Sequence, residues 1–72
     1  MSSRLVTRRL KKIGARVRRL RDDLRITDEQ AFVLPDDSPD AEALARHRAH
    51  LVAEIAQLER EQDELLDRLG GA

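Results

Sequence analysis

Two prolines, Pro35 and Pro39, bracket a short polar segment, and on both sides of it apolar residues recur in alternating steps of three and four. Upstream the series runs Val6, Leu10, Ile13, Val17, Leu20, Leu24, Thr27, Ala31, Leu34. That spacing is a heptad, with a positions at Leu10, Val17, Leu24 and Ala31 and d positions at Val6, Ile13, Leu20, Thr27 and Leu34. Downstream the d positions are Leu44, Leu51, Leu58 and Leu65, and the a positions are Ala41, Arg48, Ile55, Gln62 and Leu69. A strand buries every second residue, so this pattern excludes sheet and commits each half of the chain to a helix with one buried stripe. The spacing predicts helix one over about 3–34, a turn at 35–38, helix two over about 39–69 and a Gly-Gly-Ala tail. Each helix would be on the order of 45 Å long at the α-helical rise.

The turn has its own chemistry. Pro35 disfavours the α conformation at Leu34 and cannot continue a helix. Ser38 is placed as the N-cap of helix two, Pro39 takes its first position, and Asp40 and Glu42 sit in its first turn, where the helix dipole favours negative charge. At the far end Arg68 lies in the last turn and Gly70-Gly71 suggest a left-handed C-cap. One competing element exists: Thr27-Asp28-Glu29-Gln30 has the form of a capping box, which would start a third helix after a break near Ile26.

Setting residue x opposite residue 75 − x pairs every a position with a d position, as an antiparallel pair requires. The layers include Val6/Leu69, Leu10/Leu65, Ile13/Gln62, Val17/Leu58, Leu20/Ile55, Leu24/Leu51, Thr27/Arg48 and Ala31/Leu44. The midpoint falls between Asp37 and Ser38, inside the turn, so register and turn chemistry agree. The fold expected is all-α, an antiparallel two-helix coiled-coil hairpin. Arg9 and Arg16 at g positions of helix one face Glu54 and Glu61 at g positions of helix two, which selects this pairing over helix one meeting its own copy. Arg48 in the seam is expected to keep its stem buried and carry its guanidinium to the rim, toward Asp28. Because 72 residues give a thin core and no cysteine is present to staple it, dimerisation into a four-helix bundle is the expected remedy.

Net charge is zero only by cancellation: 14 basic side chains balance 14 acidic ones. Residues 1–25 hold ten basic and two acidic side chains, net +8, and residues 26–72 hold four basic and twelve acidic, net −8. The longest apolar run is Ala31-Phe32-Val33-Leu34, far below the roughly 20 residues of a membrane span, and the basic N-terminus lacks the apolar core of a secretory signal. A cytoplasmic location is expected.

Few residues suggest chemistry. Ser2, Ser3 and Ser38 have no histidine placed to activate them, the carboxylates of helix two are dispersed, and no glycine-rich phosphate loop exists, so no catalytic residue, cofactor or small-molecule substrate is expected. His47 and His50 form H-x-x-H, but zinc would require further ligands, with Glu54 the nearest carboxylate on that side, and solvated histidines are the expectation. Gly14 interrupts helix one at an e position and costs about 1 kcal/mol relative to alanine. Two surfaces point to binding. Ile26, Phe32 and Val33, off the seam near the turn, include the only aromatic and form a candidate protein-docking patch. Arg4, Arg8, Lys11, Lys12, Arg18, Arg19 and Arg25 point away from the seam along helix one and form a candidate polyanion surface, though no aromatic is interleaved for base stacking. Insertion into a membrane surface is not expected, since the hairpin buries the apolar stripe that lipid would need.

Arginine outnumbers lysine twelve to two, with abundant Ala, Leu and Asp, as in high-GC genomes. The segments Ala45-Arg46-His47-Arg48-Ala49-His50-Leu51-Val52-Ala53-Glu54-Ile55-Ala56-Gln57-Leu58-Glu59 and Gln62-Asp63-Glu64-Leu65-Leu66-Asp67-Arg68-Leu69 resemble short actinobacterial coiled-coil hairpin proteins. The resemblance implies a hairpin fold and no activity. The function expected is a non-enzymatic adaptor or protein-interaction module, whose partner is another protein or a second copy. The alternative is a nucleic-acid or ribosome-associated protein that contacts phosphates through helix one.

Overall fold

The computed structural model describes residues 3–70. Two helices make up the fold: α1, Ser3–Phe32, and α2, Pro39–Gly70. They pack antiparallel into a rod of 52 × 14 × 13 Å. The all-α hairpin expected from the heptads is therefore the fold.

The connection forms as the sequence dictates, with one shift. Helix α1 ends at Phe32, two residues before the expected end at 34, because Pro35 acts further back than its immediate neighbour. The amides of Val33 and Leu34 donate to the carbonyls of Gln30 and Ala31, both at 3.3 Å, which tightens the last turn to i→i−3 bonding before the chain leaves the helix. The Ser38 amide then donates to the Pro35 carbonyl at 3.2 Å, closing the turn. The Ser38 hydroxyl oxygen accepts the Ala41 amide at 3.0 Å, the bond expected of an N-cap, and Pro39 opens α2.

The competing third helix is absent, and one local expectation is corrected. No break occurs near Ile26, so the chain is not a three-helix element. Thr27 is buried in the seam and its hydroxyl donates to the Asp23 carbonyl at 2.8 Å, one turn back, instead of capping a new helix. The heptad wins because burial of the d-position methyl stabilises the continuous helix, while the hydroxyl is satisfied without leaving it. At the other end Gly70 is helical and has no positive φ, so it is not a left-handed cap; Gly71 lies outside the described residues.

The core is a single file. Val6, Ile13, Val17 and Leu20 of α1 meet Leu51, Ile55 and Leu65 of α2, with Leu10, Leu24 and Leu58 half-buried against them. Ile13, at 1 % exposure, is the deepest side chain. The expected layers thin toward the ends: Leu69, opposite Val6, is exposed, and so is Ala31. Among the described residues no third element packs against them.

Candidate interaction surfaces

Ion pairs fix the register at both edges of the seam. On the g edge Arg9 donates to Glu61 through Nε and Nη2, each at 3.0 Å, a fork-to-fork pair. One heptad on, Arg16 Nη2 and Nε reach Glu54 Oε2 at 2.9 and 3.2 Å. On the opposite, e edge, Arg21 Nη2 donates to Glu59 at 2.8 Å, and Arg48 Nε donates to Asp28 Oδ1 at 2.7 Å. The Arg48 stem leaves the seam and its head rests on the rim, as its amphipathic side chain favours. Gln62 is half-buried, and no buried side-chain polar atom among the described residues lacks a partner. All four pairs are solvent-exposed, so each contributes about 0.2–1 kcal/mol and their main effect is to select the register.

The basic residues at b, c and f positions behave differently. Arg4, Arg8, Lys11, Lys12, Arg18, Arg19 and Arg25 are exposed, and no ion pair or hydrogen bond engages their side chains among the described residues. Helix α2 satisfies the arginines at the seam edge and leaves the outer face of α1 unneutralised.

All three residues of the expected docking patch are exposed. Phe32 is 89 % exposed and Val33 78 %, with Ile26 half as exposed as Phe32 or slightly more. Ile26 and Val33 share the c position, on the g side of the hairpin, whereas Phe32 at b lies about 100° round the helix, on the e side. Val33 lines a shallow recess of about 430 Å³ with Gln30, Leu34, Asp40, Ala43 and Leu44, from which both Phe32 and Ile26 are absent. Sequence reasoning missed Leu34, Ala43 and Leu44 as surface-formers, because heptad positions d and c label them core and solvent respectively. Leu34 and Leu44 are half-buried and Ala43 is exposed.

Folding also rearranges the charge. The hairpin half nearer the termini, residues 3–18 and 57–70, carries nine basic and five acidic side chains, net +4. The half nearer the turn, residues 19–56, carries five basic and nine acidic, net −4. The +8/−8 contrast along the chain thus becomes an axial dipole of +4 and −4 in the folded rod.

His47 and His50 are both exposed, and no group of three or more His, Cys, Asp or Glu side chains among the described residues is placed to hold a metal ion. Neither helix is long and apolar enough to cross a membrane. No family model, no curated protein and no solved structure matches this chain.

Proposed function

We propose that the chain is a non-enzymatic helical-hairpin adaptor that acts in the cytoplasm by binding another protein at its turn end. The observation that carries this reading is the apolar recess of Val33, Leu34, Ala43 and Leu44, set within the acidic end of the rod. Asp40 lines it, and Asp36, Asp37 and Glu42 lie close along the chain, in the turn and the first turn of α2. An apolar hollow with an acidic rim fits a segment that presents one apolar side chain flanked by lysine or arginine. The resemblance of residues 45–59 and 62–69 to actinobacterial hairpin proteins implies a fold and no activity. Capture from the native cell should be compared for the unaltered chain, Val33→Asp and Asp40→Asn. A partner lost with Val33→Asp, weakened with Asp40→Asn and bearing a basic apolar segment supports the reading; identical captures with all three overturn it.

A second reading rests on the seven unneutralised cations of α1. They give the hairpin a basic face on the order of 30 Å long, suited to a phosphate backbone. Retention on RNA or DNA at 50 mM salt that falls steeply by 200 mM would support it. No retention at 50 mM would reject it.

A further inference from the structure

Charge is segregated across the rod as well as along it. Between residues 4 and 19 the outward positions of α1, b, c and f, are all exposed and hold no acid. On the far side of the rod, the outward positions of the terminal half of α2 hold Asp63, Glu64 and Asp67, also exposed, balanced only by Arg60.

The cations of α1 stand in two columns. Arg4, Lys11 and Arg18 form the b column, and Lys12 and Arg19 continue the c column begun by Leu5, with seven residues, about 10.5 Å, between successive members. The columns lie about 100° apart round the helix, and the f position runs midway between them. Arg8 and Ala15 occupy that midline. None of the six cations has an ion pair or side-chain hydrogen bond among the described residues. Asp22 is the next f residue and Glu29 the one after it, so the acid-free stretch closes after Arg19 and is about 22 Å long.

We propose that this face seats α1 in the major groove of a DNA duplex, with the b column on the phosphates of one strand and the c column on those of the other. The inference rests on the nucleic-acid reading above and specifies its ligand. A helix with its side chains is about 10–12 Å across and the B-form major groove about 12 Å wide, so the midline enters while the two columns reach the groove walls. The major groove of duplex RNA is deep and narrow and does not admit the same helix. Single strands are held by stacking on aromatic rings, and this face has none. Phe32, the one aromatic of the chain, stands beyond Arg19 by about 20 Å along α1. Helix α2 lies on the seam side, behind α1, and its outward acids face away from the phosphates, which orients the approach. On the midline only Arg8 is long enough to reach base edges, so affinity comes from phosphate contacts and varies little with base sequence. The recess at Val33 lies at the other end of the rod and stays open to a protein partner.

Fluorescence anisotropy with the full chain at 50 mM salt tests the proposal, using one labelled 20-mer sequence as duplex DNA, single-stranded DNA and duplex RNA. Duplex DNA should bind at least tenfold more tightly than either of the others, and lose about a thousandfold in affinity by 200 mM salt, as about six phosphate contacts require. Ala15→Glu places a carboxylate on the midline without removing a cation and should weaken duplex binding at least twentyfold. Ala53→Glu makes the same charge change at an exposed outward position of α2 and should leave affinity within twofold. Equal affinity for duplex and single strand, or for DNA and RNA duplexes, overturns the groove seating while the nucleic-acid reading stands; no binding to any of the three overturns both. Unchanged affinity of Ala15→Glu overturns the choice of face. Should that variant lose its helix signal in circular dichroism, the pair Lys11→Gln and Lys12→Gln, at exposed positions, decides the face instead: a tenfold loss supports it and unchanged affinity overturns it.

Discussion

At the scale of single residues, burial separates side chains that the heptad treats alike. Ile13 and Ala31 both occupy seam positions, yet Ile13 is sealed and Ala31 is exposed. Ile13→Ala should therefore cost about 2–5 kcal/mol, comparable with the whole stability of so small a domain. Far-UV circular dichroism should show most of the helix signal lost at 25 °C. Gly14 is the converse case. A methyl group added there meets nothing within 4 Å, so close approach of α2 is not the reason for glycine at this position. Gly14→Ala should raise stability by about 1 kcal/mol in urea denaturation, because only the helix-propensity term changes. Which positions were seam and which were edge was legible from spacing alone. How deeply each was buried was not, since burial depends on distance from the ends of a rod that has no third element to close it.

At the scale of elements, the helices differ in how their ends are satisfied. Helix α2 has the Ser38 cap, two acids in its first turn and Arg68 in its last, all in accord with the helix dipole. Helix α1 has no acid in its first turn and no base in its last, and it places Arg4 at the N-terminal end where a cation is unfavourable. Amide hydrogen exchange should accordingly be fastest at the first turn of α1 and slower at the first turn of α2. Ser38→Ala should cost about 0.5–2 kcal/mol and accelerate exchange at Ala41 and Glu42, whereas a similar loss of stability without a change in local exchange would argue against the cap as the cause. The turn was legible because proline, serine and acids each act locally. The false start at Thr27 shows the limit of that reasoning: a local capping signal was outweighed by a seam running through it, and the outcome depended on residues of α2 far away in sequence.

At the scale of the whole molecule, charge governs what the rod can meet. The −4 at the turn end and +4 at the terminal end arise only when the two halves of the chain lie side by side. Replacing Asp36 and Asp37 by asparagine removes two charges from the turn end without touching a helix. Binding of the proposed basic partner at the turn end should weaken several-fold at 50 mM salt and be unaffected at 500 mM, where the screening length falls to roughly 4 Å. A loss of association equal at both salt concentrations would mean that the dipole plays no part. The basic face of α1 is likewise a property of the assembled hairpin, since it is the packing of α2 that neutralises Arg9, Arg16 and Arg21 and leaves the outward cations free of ion pairs.

By itself the sequence determined the two helices, the site of reversal, the antiparallel register and the residues of the g-edge ion pairs. Each of these follows from a period, a cap or a charge that acts over one or two helical turns. Only the tertiary structure decided how deeply each seam residue is buried, sealing Ile13 and leaving Ala31 and Leu69 exposed. It also formed the recess at the turn from Leu34, Ala43 and Leu44. Those outcomes depend on which sides of two cylinders remain after they have packed together, a relation between distant residues that no local pattern records.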